Sequence, residues 1–178
     1  FVMRINKVPA ERGYWKKMRP MTAEAAWDNT AGKYKIYKSY TKEMSGDDVG
    51  AWFTFNTAEN EVIEVSVGVS FVSVENARLN LEKEQPFGTT FDKLRADARK
   101  RWNDDLSRMT VKGGTEEQKG VFYTAMYHTL IHPNILQDVS GQYPQMEGSK
   151  ILTTNRNRYT VFSLWDTYRA AHPFYTIM

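Results

Sequence analysis

The spacing of apolar residues changes once along this chain, close to residue 72. Before that point, in EVIEVSVGVSFVS (61–73), apolar residues alternate with polar or small ones, the two-residue period of a strand that covers a core with one face. The alternating apolar residues are Ile63, Val65, Val67, Val69 and Phe71. Beyond it, apolar residues recur at every third or fourth position, as in amphipathic helices. The sequence therefore predicts strands followed by helices, an α+β chain.

Two further segments in the first third of the chain have strand character. KYKIYKSY (33–40) and AWFTFNT (51–57) are rich in aromatic residues and alternate imperfectly, as half-buried strands do. The turn-forming segments SGDDVG (45–50) and TAENE (57–61) separate the three runs. We therefore expect two or three antiparallel strands joined by short loops, at the edge of a larger β-sandwich.

Two helices are predicted directly after the strands. Ser73 is placed to cap a short helix that runs through Leu81 and is broken by EQPFG (84–88). The next helix spans about 89–109 and begins with a capping box of Thr89 and Asp92. Its apolar residues at spacings of three and four are Phe91, Leu94, Ala98, Trp102 and Leu106. Asp104 and Asp105, among basic residues, are expected to form solvated ion pairs there.

A third helix is predicted over residues 116–132. Thr115 and Gln118 form its capping box, and Pro133 ends it. Apolar side chains lie on nearly every side of it, so we expect it to be surrounded by protein that the rest of this chain is too short to supply. Residues 134–159 are expected to form a long polar connection, and VFSLWDTYRAAH (161–172) a helix or its beginning.

Charge and composition exclude several classes of function. Lys and Arg number 24 against 21 Asp and Glu, and the chain mixes both signs within its helices, so a nucleic-acid interface is not predicted. There is no cysteine, which excludes disulfides and thiolate chemistry. No run approaches the roughly 18 apolar residues of a membrane span, and the first residues lack a signal peptide. A first residue other than Met and an apolar last segment led us to expect a fragment.

Histidines offer one candidate metal pair. His128 and His132 are four residues apart on the predicted third helix, a spacing that places two imidazoles on one face. The zinc-protease pattern requires Glu where this chain has Thr129, and no third ligand is evident. The alternatives are favoured: His128 as a polar group at the edge of the core, and His132 and His172, each before a proline, as helix-end residues.

Two candidate sites involve carboxylates. Asp138, Gly141 and Tyr143 in DVSGQY could form a cation loop, but the EF-hand spacing is absent and a simple turn is favoured. Trp165 beside Asp166 combines an apolar ring that stacks on a sugar with an acceptor for sugar hydroxyls. From these two residues alone, a core Trp beside a helix-capping Asp is the favoured alternative.

Four segments in chain order resemble glycoside hydrolase family 92, the calcium-dependent exo-acting α-mannosidases. They cover about residues 60–178 and read VGVSFVSVENARLNLEKE, FYTAMYHTLIHPN, DVSGQYP and FSLWDTYRAAHP. The resemblance implies an N-terminal β-sandwich joined by linker helices to an (α/α)6 barrel. Residues 1–86 would be the last part of the sandwich, 87–112 the linker, and 113–178 the start of the barrel.

The resemblance also implies an activity and residue roles. It implies an inverting hydrolase that removes terminal mannose, most simply α-1,2-linked, from a glycan, in a secreted or periplasmic protein, with surface anchoring left open. Trp165 would be an apolar wall and Asp166 an acceptor for sugar hydroxyls, with Arg169 orienting Asp166. Asp138 and Tyr143 would lie near the cleft without an assigned role. The catalytic acid, the base and the main calcium ligands would lie beyond Met178, in the remainder of the polypeptide.

Two other functions remain open from the sequence. One is a different (α/α)6-barrel glycosidase, because Trp–Asp contacts to sugars recur on such folds. The other is a non-catalytic carbohydrate-binding or structural module, favoured by the lack of a recognisable acid and base pair within the chain.

Overall fold

The computed structural model describes residues 1–17, 34–38, 43–46 and 48–178. The predicted strand at 33–40 and turn at 45–50 lie only partly within these ranges, and Lys33, Ser39, Tyr40 and Asp47 lie outside them. The backbone forms two compact units, one of residues 1–4 with 66–178 and one of residues 5–65.

The described residues form a mixed α and β structure. Its strands are β1 (Val2–Ile5), β2 (Glu11–Lys17), β3 (Tyr34–Lys38), β4 (Val49–Thr54), β5 (Val65–Gly68), β6 (Gln142–Pro144) and β7 (Ile151–Thr153). Its helices are α1 (Val74–Glu84), α2 (Phe91–Leu106), α3 (Glu116–Ile131), α4 (Leu164–Thr167) and α5 (Ala171–Ile177). Within the described ranges, no helix is both long and apolar enough to cross a bilayer.

The unit of residues 5–65 is built on an antiparallel sheet in the order β3-β2-β4. The aromatic runs predicted as strands are confirmed in β3 and β4. The expectation of consecutive strands joined by short loops was wrong in its order, because β2, which the pattern did not reveal, lies between the other two.

Tryptophan and glycine face each other twice across β2 and β4. Gly13 lies opposite Trp52, and Trp15 lies opposite Gly50. A Cβ on Gly13 would be 2.9 Å from the Trp52 ring, and one on Gly50 would be 2.4 Å from the Trp15 ring. Each indole therefore covers the glycine of the facing strand, which stabilises this pair of strands and fixes its register.

The alternating segment before the helices forms a shorter strand than predicted, and its burial is reversed. β5 pairs with β1, and Val67, Val69 and Phe71 are exposed, whereas Gly68 is buried. The reason is the close packing of β5 on α1: a Cβ on Gly68 would lie 2.2 Å from the Ala77 carbonyl oxygen. The small-residue face of β5, not its apolar face, is covered within this chain.

Helix α1 begins as the sequence predicts and supplies the core of its unit. The Ser73 hydroxyl accepts a hydrogen bond from the Asn76 backbone N–H at 3.0 Å, which satisfies one of the free donors of the first turn. Ala77 and Leu81 of α1, with Met126 of α3, are the buried apolar side chains among the described residues.

Helix α2 is confirmed, but its predicted cap is wrong by one residue. The N-cap is Thr90, whose side chain accepts from the Lys93 backbone N–H at 3.3 Å. Thr89 donates its own N–H to the Pro86 carbonyl and so belongs to the preceding turn. None of the side chains of α2 is fully buried, and Asp104 and Asp105 form the expected ion pairs, with Lys100 and Arg101 four residues before them.

Helix α3 has the predicted capping box. The Thr115 hydroxyl accepts from the Gln118 N–H at 3.2 Å, and the Gln118 side chain accepts from the Thr115 N–H at 2.9 Å. Only Met126 of this helix is buried, and Val121 is 67% exposed. The described residues therefore do not supply the surrounding protein that the composition of α3 predicts.

The segment predicted as a long connection contains a β-hairpin instead. β6 and β7 pair antiparallel with Tyr143 opposite Leu152, and an isolated bridge joins Ile135 to Tyr159. Gly141, with φ of +81°, precedes β6 in a backbone conformation that favours glycine. Strands of three residues are too short to give a periodic signal, which explains why the sequence pattern missed them. The final predicted helix is divided into α4 and α5.

The contact of Gly68 with α1 can be tested by replacing it with alanine. The added methyl group would displace backbone, so we expect Gly68→Ala to lower the free energy of unfolding by about 1–3 kcal/mol. Gly120→Ala is the matched control, because Gly120 lies exposed within α3 with nothing near its Cβ position. That change should stabilise the helix by about 0.5–1 kcal/mol. Equal effects of the two changes in urea denaturation would contradict the described packing.

Candidate functional site

The most buried polar group of the described structure is the carboxylate of Asp138, which is 7% exposed. Its Oδ2 accepts from the Ser70 hydroxyl at 2.6 Å and from the Asn76 side-chain amide at 2.8 Å. Its Oδ1 accepts from the Asn80 side-chain amide at 2.7 Å. We call this set of four residues the Asp138 cluster. Three neutral donors stabilise the buried charge, as a carboxylate away from water requires.

The donors of the Asp138 cluster are themselves fixed. The Ser70 hydroxyl oxygen accepts from the backbone N–H groups of Val72 and Ser73, so its proton is directed to Asp138. The Asn80 amide donates to the Val69 carbonyl as well as to Asp138, and its oxygen accepts from the Val139 N–H at 3.0 Å. Each side chain has a partner for its donors, so the cluster has one favoured arrangement.

The cluster joins segments that are far apart in sequence. Ser70 follows β5, Asn76 and Asn80 lie on one face of α1, and Asp138 begins the turn that leads into β6. Asp138 also bonds through its backbone, because its N–H donates to the Gln142 carbonyl and its carbonyl accepts from the Gly141 N–H, each at 2.8 Å. Asp138 and Gly141 thus form the turn that the sequence favoured, anchored on α1.

The Asp138 cluster does not have the donor set of a cation site. The carboxylate oxygens already accept from N–H and O–H donors, and their nearest partners are amides and a hydroxyl. Throughout the part of the chain that the structure describes, no group of three or more His, Asp or Glu could hold a metal. The Asp138 cluster therefore does not fit calcium. Tyr143 is half-buried in β6 with the Arg158 guanidinium 5.8 Å from its ring centre.

Trp165 and Asp166 lie on α4, a helix of four residues. Trp165 is 86% exposed and Asp166 is exposed as well. Among the described residues Trp165 is not buried, and Ser163, not Asp166, occupies the N-cap position of α4. The Asp166 backbone N–H donates to the Ser163 carbonyl at 3.2 Å. Among the described residues, nothing covers most of the surface of either side chain.

Arg169 is not placed against Asp166. Its Nε donates to the hydroxyl of Tyr168 at 2.7 Å, and its guanidinium lies 5.4 Å from the centre of that ring. Among the described residues, no ion pair joins Arg169 to Asp166.

The histidines are each engaged in separate contacts. His132 contacts the Val161 carbonyl through Nε2 at 2.8 Å, and His172 contacts the Thr167 hydroxyl through Nε2 at 3.0 Å. His128 lies exposed beside the Tyr127 ring, and its ring centre is 5.7 Å from the centre of that ring. The helix-end interpretation of His132 is confirmed, since it is the C-cap residue of α3.

A small aromatic cluster holds the segment before α4 and helix α5 against the end of α3. Phe162 lies 5.0 Å from His172 and 5.9 Å from both His132 and Tyr175, measured between ring centres. The Tyr175 hydroxyl donates to the Thr129 carbonyl oxygen at 2.5 Å, and the His132 carbonyl oxygen lies 3.2 Å from the same hydroxyl. Burial raises the pKa of the Tyr175 phenol, so this group keeps the proton that it donates.

The sequence patterns missed Ser70, Asn76 and Asn80. One signal could have identified the two asparagines, because they are four residues apart and therefore on one face of α1, the same face that carries the buried Ala77 and Leu81. Two amides at that spacing on a core-facing side require a buried partner. The sequence does not indicate that this partner is Asp138.

Comparisons with known proteins agree on one family. Residues 76–178 match the family model of the glycosyl hydrolase family 92 catalytic domain. A relative from Arthroderma benhamiae is described as an uncharacterized secreted glycosidase. It is 31% identical in an alignment of 127 residues, and the alignment covers 67% of this chain and 15% of that protein.

A solved structure has a similar fold. The structure of the GH92 family glycosyl hydrolase ccman5 superposes with a TM-score of 0.64 at 22% identity, covering 92% of this chain and 20% of that one. The chain thus spans 15% of the relative's length and 20% of the solved structure's length.

The role of the Asp138 cluster can be tested by Asp138→Asn, which keeps the shape of the side chain. An amide has one oxygen that accepts and one NH₂ group that only donates. At the place of one carboxylate oxygen, the NH₂ group would therefore face another N–H or O–H donor. We expect the free energy of unfolding to fall by about 2–4 kcal/mol. Asp166→Asn, the same change at an exposed position, should alter it by no more than about 0.5 kcal/mol. Equal stability of the two variants in urea denaturation would refute a structural role for the cluster.

Proposed function

This chain belongs to glycosyl hydrolase family 92, and from that membership we propose that it is part of a glycosidase that removes terminal mannose from glycans. Membership of a glycosyl hydrolase family supports hydrolysis of a glycosidic bond as the reaction class. The resemblance of SLWDT (163–167) and the segments before it supports an exo-acting α-mannosidase, most simply one acting on α-1,2 linkages.

The exposure of Trp165 and Asp166 together on α4 is the observation that carries the proposal. An indole face packs on the C–H face of a sugar, and an adjacent carboxylate accepts hydrogen bonds from its hydroxyl groups. A sugar presents both kinds of surface, so the two side chains match it jointly. Both residues lie within the region that the family model matches. Trp165 would form the wall of the sugar site, and Asp166 would accept from the hydroxyls.

The catalytic groups are proposed to come from elsewhere in a longer polypeptide. An inverting hydrolase needs one carboxylic acid to protonate the leaving oxygen and one carboxylate to activate water on the opposite face. Asp138 does not fit either role, because its oxygens accept from Ser70, Asn76 and Asn80 in the interior. The acid, the base and the calcium ligands that the resemblance implies would therefore lie beyond Met178. Arg169 stays a predicted residue of the sugar site, and Asp138 and Tyr143 stay predicted residues near the cleft.

The proposed place of the chain in that polypeptide follows the resemblance. Residues 1–86 would be the last part of a β-sandwich, 87–112 a helical linker, and 113–178 the start of an (α/α)6 barrel. The exposure of apolar residues on α3 and α4, such as Val121 and Leu164, agrees with further helices packing there. A secreted or periplasmic location is proposed from the resemblance and from the secreted relative.

Substitution of the two exposed residues tests their role in binding. In the full polypeptide that contains this chain, Trp165→Ala and Asp166→Asn should each lower kcat/KM for an α-1,2-linked mannobiose by roughly tenfold to a hundredfold, mainly through KM. Asp92→Asn, an exposed change in the first turn of α2, is the matched control and should leave kcat/KM unaltered. Unaltered kinetics of both site variants would exclude these residues from the sugar site.

An assay of residues 1–178 alone tests whether the catalytic acid and base lie elsewhere in the longer polypeptide. We expect this chain alone to release no mannose above background, because the acid and base are assigned to other parts of the polypeptide. Release above background would contradict that assignment. Binding of mannose by the isolated chain, measured by calorimetry and abolished by Trp165→Ala, would favour a carbohydrate-binding module if the full polypeptide also proves inactive. Preference for glucosides in a substrate panel would favour a different helical-barrel glycosidase.

A further inference from the structure

Helix α4 has little within itself to fix the direction of Trp165 and Asp166. It has four residues, and its N-cap Ser163 makes no side-chain capping bond. Helices this short are marginal without contacts to the rest of the protein. Leu164 and Trp165 are 67% and 86% exposed, so they add no packing within this chain. The orientation of α4 must therefore depend on the residue that faces the protein.

Thr167 is that residue. It is half-buried, and its hydroxyl lies 3.0 Å from the Ser163 carbonyl oxygen at the start of α4 and 3.0 Å from Nε2 of His172 on α5. A threonine hydroxyl has one proton, and a carbonyl oxygen can only accept. Both contacts can be hydrogen bonds only if Thr167 donates to Ser163 and His172 donates from Nε2 to Thr167.

His172 is in turn held against α3. Its ring lies 5.0 Å from the centre of Phe162 and 6.3 Å from the centre of Tyr175. The Tyr175 hydroxyl donates to the Thr129 carbonyl oxygen at the end of α3. A series of contacts therefore runs from α3 through α5 to Thr167, the residue directly after Asp166.

We propose that His172 and Thr167 are positioning residues, which fix α4 so that Asp166 meets the hydroxyl groups of the terminal sugar. This rests on the proposed function, since it assumes that Asp166 contacts substrate. Neither His172 nor Thr167 touches the sugar. Loss of the Thr167 hydroxyl leaves the Ser163 carbonyl and the His172 N–H without this partner, and α4 becomes free to rotate.

Thr167→Val and Thr167→Ser separate the hydroxyl from the shape of the side chain. In the full polypeptide, Thr167→Val should raise KM for α-1,2-linked mannobiose about tenfold, less than the ~100-fold that a 1 Å misplacement can cost, with kcat within about threefold. Thr167→Ser keeps the hydroxyl and should restore most of the affinity. Thr176→Val is the matched control, because the Thr176 hydroxyl donates to the Pro173 carbonyl within α5 and not to a histidine. The KM of this variant should not change.

A purely structural role would give a different result. Loss of folded enzyme lowers the apparent kcat and leaves KM unchanged, and this outcome would overturn the proposal. An equal rise in KM for Thr167→Ser and Thr167→Val would do the same. If Thr167→Val does not fold, the test uses His172→Gln, which keeps an N–H donor, and His172→Leu, which does not. His172→Gln should have the lower KM. Equal KM values of these two variants would overturn the proposal.

The Asp166→Asn variant distinguishes failure of this inference from failure of the proposed function. If Asp166→Asn raises KM and Thr167→Val does not, the sugar site stands and the positioning role is refuted. If Thr167→Val raises KM while Asp166→Asn has no effect, Thr167 acts through another group, and both the role of Asp166 and the positioning proposal are refuted.

Discussion

A buried carboxylate without a cationic partner must be surrounded by hydrogen-bond donors. This constraint shapes the unit of residues 1–4 with 66–178. Asp138 meets it with one hydroxyl and two amides, which come from the end of β5 and from α1. The strand, the helix and the turn before β6 can satisfy the charge only when they lie together. With an apolar core of few buried residues, the Asp138 cluster supplies the specificity that packing alone would not.

The two carboxylates that the sequence singled out therefore have opposite physical roles. Asp138 is enclosed by hydrogen-bond donors, which suits it to hold β5, α1 and the turn before β6 together. Asp166 is exposed at the end of a series of contacts that begins on α3 and passes through His172. A rigid support below an exposed acceptor is the arrangement that sugar recognition needs, because orientation then costs little on binding.

Local interactions were predictable from the sequence, and long-range ones were not. The Thr115 and Gln118 capping box was predicted because both partners lie within one turn of helix. The reversed burial of β5 was not, since it depends on the close approach of α1 to Gly68. Likewise, Asn76 and Asn80 are about sixty residues from Asp138, and no periodicity links them. A shared role of Trp165 and Asp166 in binding a sugar is what the resemblance implies and the patterns alone did not favour, and it stays a prediction.

The most direct test is a crystal structure of the full polypeptide with mannose bound. The account predicts the C–H face of the sugar against the Trp165 ring and an Asp166 carboxylate oxygen about 2.5–3.0 Å from a sugar hydroxyl oxygen. It also predicts that Asp138 remains enclosed by Ser70, Asn76 and Asn80. Mannose bound away from α4, or held directly by Asp138, would contradict the account.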